Sequence, residues 1–331
     1  MSGAPVDEST IGRTPLVEVD LDVLPTVYAK LEWFNCYDCG FGGGSVKTRI
    51  AKAMLDAAEA RDEIRGRTIV EPSSGNTGTA LARIGSSRGY DVEIVTPESP
   101  SETKIEAIQA AGGRVRRATT YEMMLEQCAD LLEANPEQYY RPNQYANPAN
   151  PGVHAATTGP EIWRQTDGEV THFVAGAGTG GTVTGVGTAL HRRGDVTVHG
   201  FEPAEPEHAI DGLKYTRGSR FHDPDVYDES VLDDFFTVST ADAYECARWL
   251  RERYADREVR VVDTGQHDAP TVRDHLRVGE EFLVGTSSGA VVAAVERLAA
   301  EGAFDADDVV VVPFPDRGDR YRHLPLWEDV L

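Results

Sequence analysis

The chain has 331 residues, 40% hydrophobic, 8% aromatic and 26% charged, which fits one large or two modest globular domains and excludes a disordered chain. No apolar run approaches the roughly 18 residues of a membrane span, and the start MSGAPVDEST lacks a basic or apolar leader pattern, so a cytoplasmic protein is expected. Acidic residues number 55 against 32 basic ones, and a net charge of −23 repels phosphate backbones and speaks against nucleic-acid binding.

Short β-branched runs alternate with helical patterns along the chain. Arg67–Glu71 reads as a buried strand, followed by SSGNTG and a helix from near Thr77. Asp91–Thr96 and Arg114–Arg116 read as strands, Glu102–Ala111 and Tyr121–Glu133 as helices. Thr171–Ala175 is a strand leading through a glycine-rich turn into a helix from Thr182 to His191, and Val196–Phe201 is the next strand. Ala241–Tyr254 is a helix, Glu281–Gly285 a strand, Ser288–Ala300 a helix and Asp308–Val312 a strand. Such alternation predicts an α/β fold with parallel sheets covered on both faces. Ligands in such folds sit beyond the C-terminal ends of strands, so the loops there carry the information.

Four loops stand out. Gly42-Gly43-Gly44-Ser45-Val46-Lys47 precedes a helical pattern, which places Lys47 at a helix N-terminus, where dipole and burial favour a neutral, nucleophilic amine. The alternative is a surface lysine after a flexible loop. Glu71-Pro72-Ser73-Ser74-Gly75-Asn76-Thr77-Gly78 offers hydroxyls, an amide and backbone N–H groups at a helix start, either a carboxylate nest or an ordinary capping turn. Gly176-Ala177-Gly178-Thr179-Gly180-Gly181-Thr182 lets the backbone wrap an anion. With Glu202 downstream it also matches a dinucleotide fingerprint, and it equally suits the phosphate of a smaller cofactor. Gly285-Thr286-Ser287-Ser288-Gly289 presents a serine that either caps a helix or bonds a ligand ring nitrogen.

Composition adds two observations. Only five basic residues are lysines (Lys30, Lys47, Lys52, Lys104 and Lys214). Many acids with few lysines resemble proteins of salt-rich cytoplasms, where salt screens self-repulsion; a merely acidic protein is the alternative. Each remaining lysine is then a candidate for a task that needs lysine. The four cysteines, Cys36, Cys39, Cys128 and Cys246, are too few for a secreted disulfide framework.

Taken together and in order, IGRTPLVEV (Ile11–Val19), GGGSVKTRIA, EPSSGNTG, QYANPANP (Gln144–Pro151), TTGPEIW (Thr157–Trp163), GAGTGGTVTGV, GTSSGA and PFPDRGDRY resemble the cysteine synthase and cystathionine β-synthase family of fold-type II pyridoxal 5′-phosphate enzymes, from about residue 10 to 322. The resemblance implies a tryptophan synthase β-like architecture. Residues 45–150 would form a smaller, mobile substrate-binding domain, and 1–44 with 151–331 a larger cofactor-binding domain. It implies that Lys47 is the Schiff-base lysine and proton shuttle. Gly178, Thr179, Gly180, Gly181 and Thr182 would hold the cofactor phosphate, Asn76 its phenolic oxygen and Ser287 its pyridine nitrogen. Ser73, Ser74, Thr77 and Gln144 would bind the substrate carboxylate. The implied activity is β-replacement, an activated serine (O-acetylserine or O-phosphoserine) reacting with sulfide through an aminoacrylate to give L-cysteine. The partners are small molecules, and family members are typically homodimers.

The chain departs from the family at three places. The run Asn35-Cys36-Tyr37-Asp38-Cys39-Gly40-Phe41 replaces Asn-Pro before the lysine loop, and Thr48 stands where aspartate is usual. Cys36 and Cys39 read as a redox pair, as half a metal site, or as incidental cysteines. Ala255–Arg277 is an added stretch expected to be a solvated surface insertion. KLEWFN at Lys30–Asn35 and Gly212-Leu213-Lys214-Tyr215 look closer to enzymes that use O-phosphoserine, which makes Lys214, with Arg217, a candidate for binding a phosphate leaving group. The alternatives are a cystathionine β-synthase taking homocysteine, a dehydratase or diaminopropionate-forming relative, and a non-catalytic binding or regulatory protein of the same fold.

Overall fold

TIVEP and VEIVTP are buried at every position, as strands covered on both faces must be. The computed structural model describes residues 6–39, 44–98, 102–217 and 224–327. Its strands, in chain order, are β1 (Leu16–Glu18), β2 (Thr26–Leu31), β3 (Thr68–Pro72), β4 (Val92–Pro97), β5 (Arg114–Ala118), β6 (Tyr139–Tyr140), β7 (His172–Gly176), β8 (Thr197–Pro203), β9 (Asp234–Val238), β10 (Arg260–Asp263) and β11 (Val309–Phe314). The smaller sheet has the order β5-β4-β3-β6 and is parallel throughout. The larger has the order β10-β1-β2-β11-β7-β8-β9. It is parallel from β2 to β9, with β1 antiparallel to both its neighbours.

The helices cover both sheets. Thr286–Ala300 is buried over its whole first ten residues, which is why its sequence is apolar or small on every side. Val310, Val311 and Val312 of β11 are at most 1% exposed, and burial of each contributes about 1.5–3 kcal/mol. Leu326 and Trp327 near the C-terminus bury against their own chain; residues 328–331 of that apolar segment lie outside the described residues.

The expected strands and helices are present, displaced by one or two residues at their ends, with one exception. Glu281–Gly285 is not a ladder strand. Phe282, Leu283 and Val284 are fully buried there, but the backbone forms only the bridges Val278–Glu281 and Val284–Arg317. An apolar run signals burial, and here side-chain packing rather than a ladder supplies it.

The 255–277 stretch is not a solvated insertion. Arg260–Asp263 is the edge strand beside β1, and the helix Ala269–Leu276 buries Val272 and Leu276. The ring of Tyr37 sits edge-on to His267 at 5.0 Å and 4.8 Å from His275. Trp33 Nε1 donates to the carbonyl of His275 at 3.1 Å. Two of the departures from the family pattern therefore pack against each other. Cys36 and Cys39 between them form a disulfide with a Cα–Cα distance of 5.5 Å. With Asp38 they are the one cluster of metal-type donors among the described residues, and their bonded sulfurs are not open to a metal in this form.

Candidate active site

Lys47 is the second residue of the helix Val46–Ala60. Ser45 caps that helix and accepts from Lys47 N at 3.2 Å, while Thr48 Oγ1 accepts from Ser45 N at 3.1 Å, closing a capping box. Thr48 thus does the work of an N3 acid, and the lysine turn stays ordered without aspartate. Gly42 and Gly43 lie outside the described residues. Burial pushes the Lys47 ammonium down to about 8, with the charge of Asp316 opposing and that of Lys214 assisting.

Lys47 lines two adjoining cavities of about 340 and about 50 Å³. The larger is also lined by Ser73, Ser74, Thr77 and Gln144, and the smaller by Gly180, Thr182 and Ser287. Asn76, Gly178 and Thr179 border both. Gly181 opens the helix immediately after Gly180.

The Ser73–Gly78 loop braces its helix start and borders the larger cavity. Ser73 Oγ accepts from Gly78 N at 2.9 Å and Gly75 N at 3.3 Å, so it braces the start of the helix Asn76–Ser87 and keeps its own proton to donate. Thr77 Oγ1 donates to Gln144 Oε1 at 2.7 Å. The backbone of Gln144 is held by the buried carboxylate of Glu71, which accepts from Asn143 N and Gln144 N, each at 2.9 Å. Asn150 ties this loop to the glycine loop, donating to Gln144 O at 2.7 Å and Thr179 Oγ1 at 3.0 Å.

The glycine loop is shaped by what its glycines omit. Gly180 has φ +77, the left-handed conformation that glycine adopts without strain. A Cβ on Gly181 would lie 2.1 Å from Asn150 Oδ1. The loop leads into the helix Gly181–His191, whose first N–H groups and dipole favour an anion. Thr182 Oγ1 is braced by His154 Nε2 at 3.3 Å. Glu202 is engaged elsewhere: its Oε2 accepts from Thr216 N at 2.6 Å and Arg217 N at 3.1 Å, so it is not presented to a ribose. Ser287 does not cap its helix, whose N-cap is Gly285 without a side-chain bond.

Lys214 is half-buried in the wall of the larger cavity, its Nζ 4.8 Å from the centre of the Tyr121 ring. Arg217 is not there. Its guanidinium stacks 3.9 Å over Phe235, and it does not line the cavity. Lys104, unassigned in the sequence reading, does line it and pairs with Asp211 at 2.8 Å. Asp316, Arg320 and Tyr321 were also missed, although PFPDRGDRY carries them. Nothing in residue type alone distinguishes these from solvated charges; the rarity of lysine was the available signal for Lys104.

Residues 8–316 match the family described as pyridoxal-phosphate dependent enzyme. The cysteine synthase of Aquifex aeolicus (strain VF5) is 37% identical over 96% of this chain and 91% of that protein. Cysteine synthase B of Escherichia coli (strain K12) is 36% identical over 95% and 93%. The crystal structure of O-ureido-L-serine synthase superposes with a TM-score of 0.78 and 31% identity, covering 98% of this chain and 95% of that one. On a match of this extent the chain belongs to the pyridoxal-phosphate dependent enzymes, among the cysteine synthases.

Proposed function

We propose that this protein is a pyridoxal-phosphate-dependent cysteine synthase, which replaces the leaving group on the β carbon of an activated serine with sulfide to give L-cysteine. The observation that carries this reading is the convergence on Lys47. A lysine whose burial favours the neutral amine borders both the glycine anion loop and the Ser74, Thr77 and Gln144 cluster.

The residues present fit the cofactor. Glycine at 178, 180 and 181, where a Cβ would strike Gly212 O, Tyr227 and Asn150, lets the loop pack tightly beside the hydroxyls of Thr179 and Thr182 and a helix N-terminus, an arrangement that suits a phosphate. Ser287 borders the same small cavity and would face the pyridine nitrogen. When bound, pyridoxal phosphate supplies the electron sink for breaking bonds at Cα and Cβ of the substrate. Serine at that nitrogen, unlike a carboxylate, does not hold a full proton there, which favours elimination over a long-lived carbanion. Ser74, Thr77 and Gln144 receive the substrate carboxylate, with Ser73 lending its remaining proton. Carboxylate binding there orients Cα–H toward Lys47 Nζ, which takes the proton and holds it. Engagement of that loop draws the smaller unit, residues 45–150, over the substrate and excludes water.

Lys214 faces the leaving group in this reading. Asp211 is taken by Lys104, and Lys214 has no ion pair among the described residues, so its charge is available to a phosphate. This favours O-phosphoserine over O-acetylserine as the donor. We read the protein further as a salt-adapted, cytoplasmic homodimer, following its composition and its resemblance; no helix among the described residues is long and apolar enough to cross a membrane.

The test is the absorption spectrum of the purified protein with pyridoxal phosphate, before and after each donor. A visible band that depends on Lys47, shifts with an activated serine and returns with sulfide is expected. Absence of the band, or a band unchanged in Lys47→Ala, would defeat the reading. Product analysis with homocysteine in place of sulfide separates cysteine from cystathionine formation.

A further inference from the structure

Asp316 follows β11 and Pro315 at the C-terminal end of the central parallel strands, and it is 1% exposed. Its backbone carbonyl accepts from Gly285 N at 3.1 Å. Only glycine fits at 285, because a Cβ there would lie 1.9 Å from Asp316 Oδ1. Oδ2 accepts from Asn76 Nδ2 at 2.5 Å and from the Tyr321 hydroxyl. Oδ1 is buried with no hydrogen-bond partner, and Asp316 borders the small cavity together with Lys47, Asn76 and Ser287. From the other side, Arg320 Nη1 donates to Asn76 Oδ1 at 2.9 Å, and Arg320 Nη2 donates to Gly44 O at 3.0 Å.

An asparagine amide can be flipped, exchanging its donor and acceptor ends. Here the flip is fixed chemically. A guanidinium can only donate, so the atom it touches is the amide oxygen, and an ionised carboxylate can only accept, so the atom it touches is the amide nitrogen. One N–H of Asn76 Nδ2 goes to Asp316, and the second is left for the cavity that Asn76 borders. A group that must hold an anionic phenolic oxygen has to present that N–H and not the carbonyl.

We propose that Asp316 is a positioning residue, which with Arg320 locks the Asn76 amide so that it donates to the phenolic oxygen of the cofactor. The inference rests on the role given to Asn76 in the proposed function. The carboxylate also polarises the amide it accepts from, strengthening the N–H that faces the cavity. Tyr321 is the second donor that keeps the carboxylate turned toward Asn76.

A double-mutant cycle tests this on the holoprotein, read by the dissociation constant of pyridoxal phosphate and by the position of its visible band. Asn76→Ala should weaken cofactor binding about tenfold and displace the band. Asp316→Ala should do nearly the same, and in the Asn76→Ala background it should add less than about twofold. Independent, multiplying losses would overturn the positioning role. If Asn76→Ala changed neither constant nor band while the Lys47-dependent band remained, the assignment of Asn76 would fall, and this inference with it, leaving the cofactor reading intact. Should Asp316→Ala not fold, Arg320→Met releases the amide from its other side, and the same lack of additivity with Asn76→Ala is required.

Discussion

Replacement of Lys214 by methionine tests whether this side chain reads the leaving group of the donor, as we propose. The change keeps the length of the stem and its contact with Tyr121 while removing the charge, which lies 4.8 Å from that ring in the cavity wall. A unit charge pair at 4 Å interacts by roughly 4 kcal/mol at an effective dielectric of ~20. Desolvation and the mobility of the side chain reduce this to the about 1.5–3 kcal/mol of a charge-assisted hydrogen bond. The expected loss in kcat/KM for O-phosphoserine is therefore about 10- to 100-fold. The acetyl ester of O-acetylserine is uncharged until its C–O bond breaks and acetate departs, and this donor should lose less than about threefold. Lys214→Arg should recover most of the phosphate-dependent rate, since the charge is kept and the fork adds donors. The assay is initial-rate cysteine formation with each donor, wild type and variants side by side. Equal losses for the two donors would show that Lys214 supports the cavity wall without reading the leaving group. No loss with O-phosphoserine would remove it from the site altogether.

Three other outcomes are expected. In the buried network, Arg49 contacts Glu32 Oε2 at 2.7 Å and Glu161 Oε2 at 2.7 Å, and Lys30 Nζ lies 2.9 Å from Glu161 Oε2. Glu161→Gln leaves two buried cations facing one carboxylate and should cost about 3–5 kcal/mol in urea unfolding at pH 7. Burial alone would raise the Glu161 carboxyl, but Arg49 and Lys30 hold it well below the usual range. Its stabilisation is therefore present above about pH 4.5 and lost as pH falls through the lowered value, so the variant and the wild type should converge in strong acid. In the apoprotein, capture of pyridoxal phosphate by Lys47 should accelerate as pH rises through about 8, where burial has placed its ammonium. Lys214→Met should move that midpoint up and Asp316→Asn move it down; a midpoint near the ordinary lysine value of about 10.4 would show that the amine is solvated. With a net charge of −23, raising KCl from 0.1 to 3 M should lift the thermal midpoint by more than about 5 °C beyond the effect of an uncharged osmolyte. A midpoint unmoved by salt would remove self-repulsion as the reason for the composition.

The sequence carried the parts of the site that depend on local chain geometry. Strand, glycine turn and helix start are encoded within about ten residues, so Lys47, Asn76, Thr182 and Ser287 could each be placed at a helix N-terminus before any tertiary contact was known. Long-range pairing is where legibility ended. Arg217 is three residues from Lys214, yet it is exposed and stacks on Phe235. Asp316 is some 240 residues from Asn76, and nothing in either local pattern shows that they meet. β10 is four residues of mixed polarity, too short for an alternation signal, and its strand character comes from the free edge of β1. The motifs IGRTPLVEV and TTGPEIW carry part of the family resemblance, and nothing local in them shows what they do. In the structure they supply Thr14, the backbone N–H of Arg13 and Glu161 to the buried network around Arg49, two residues beyond Lys47, which anchors the helix carrying that amine.

The five lysines divide by location in the structure. Lys52 is the surface member, pairing with Asp56 at 2.6 Å, and Lys30 is buried against Glu161. The other three, Lys47, Lys104 and Lys214, line one cavity. Arginine could not replace Lys47, because a guanidinium does not release its proton at any accessible pH. Lys104 and Lys214 are point charges in a narrow wall, each set against an aromatic ring, Tyr321 at 5.9 Å and Tyr121 at 4.8 Å. A chain with 23 excess negative charges surrounds itself with a potential that repels hydrosulfide and anionic amino-acid donors alike. Salt removes that long-range barrier, since the screening length falls from about 10 Å at 0.1 M to about 3 Å at 1 M. The same salt weakens a contact inside a half-buried cavity far less, because few ions enter between the charges. Concentrating three of the five lysines in the cavity wall therefore keeps a local positive charge beside Lys47 in a chain whose overall charge is strongly negative.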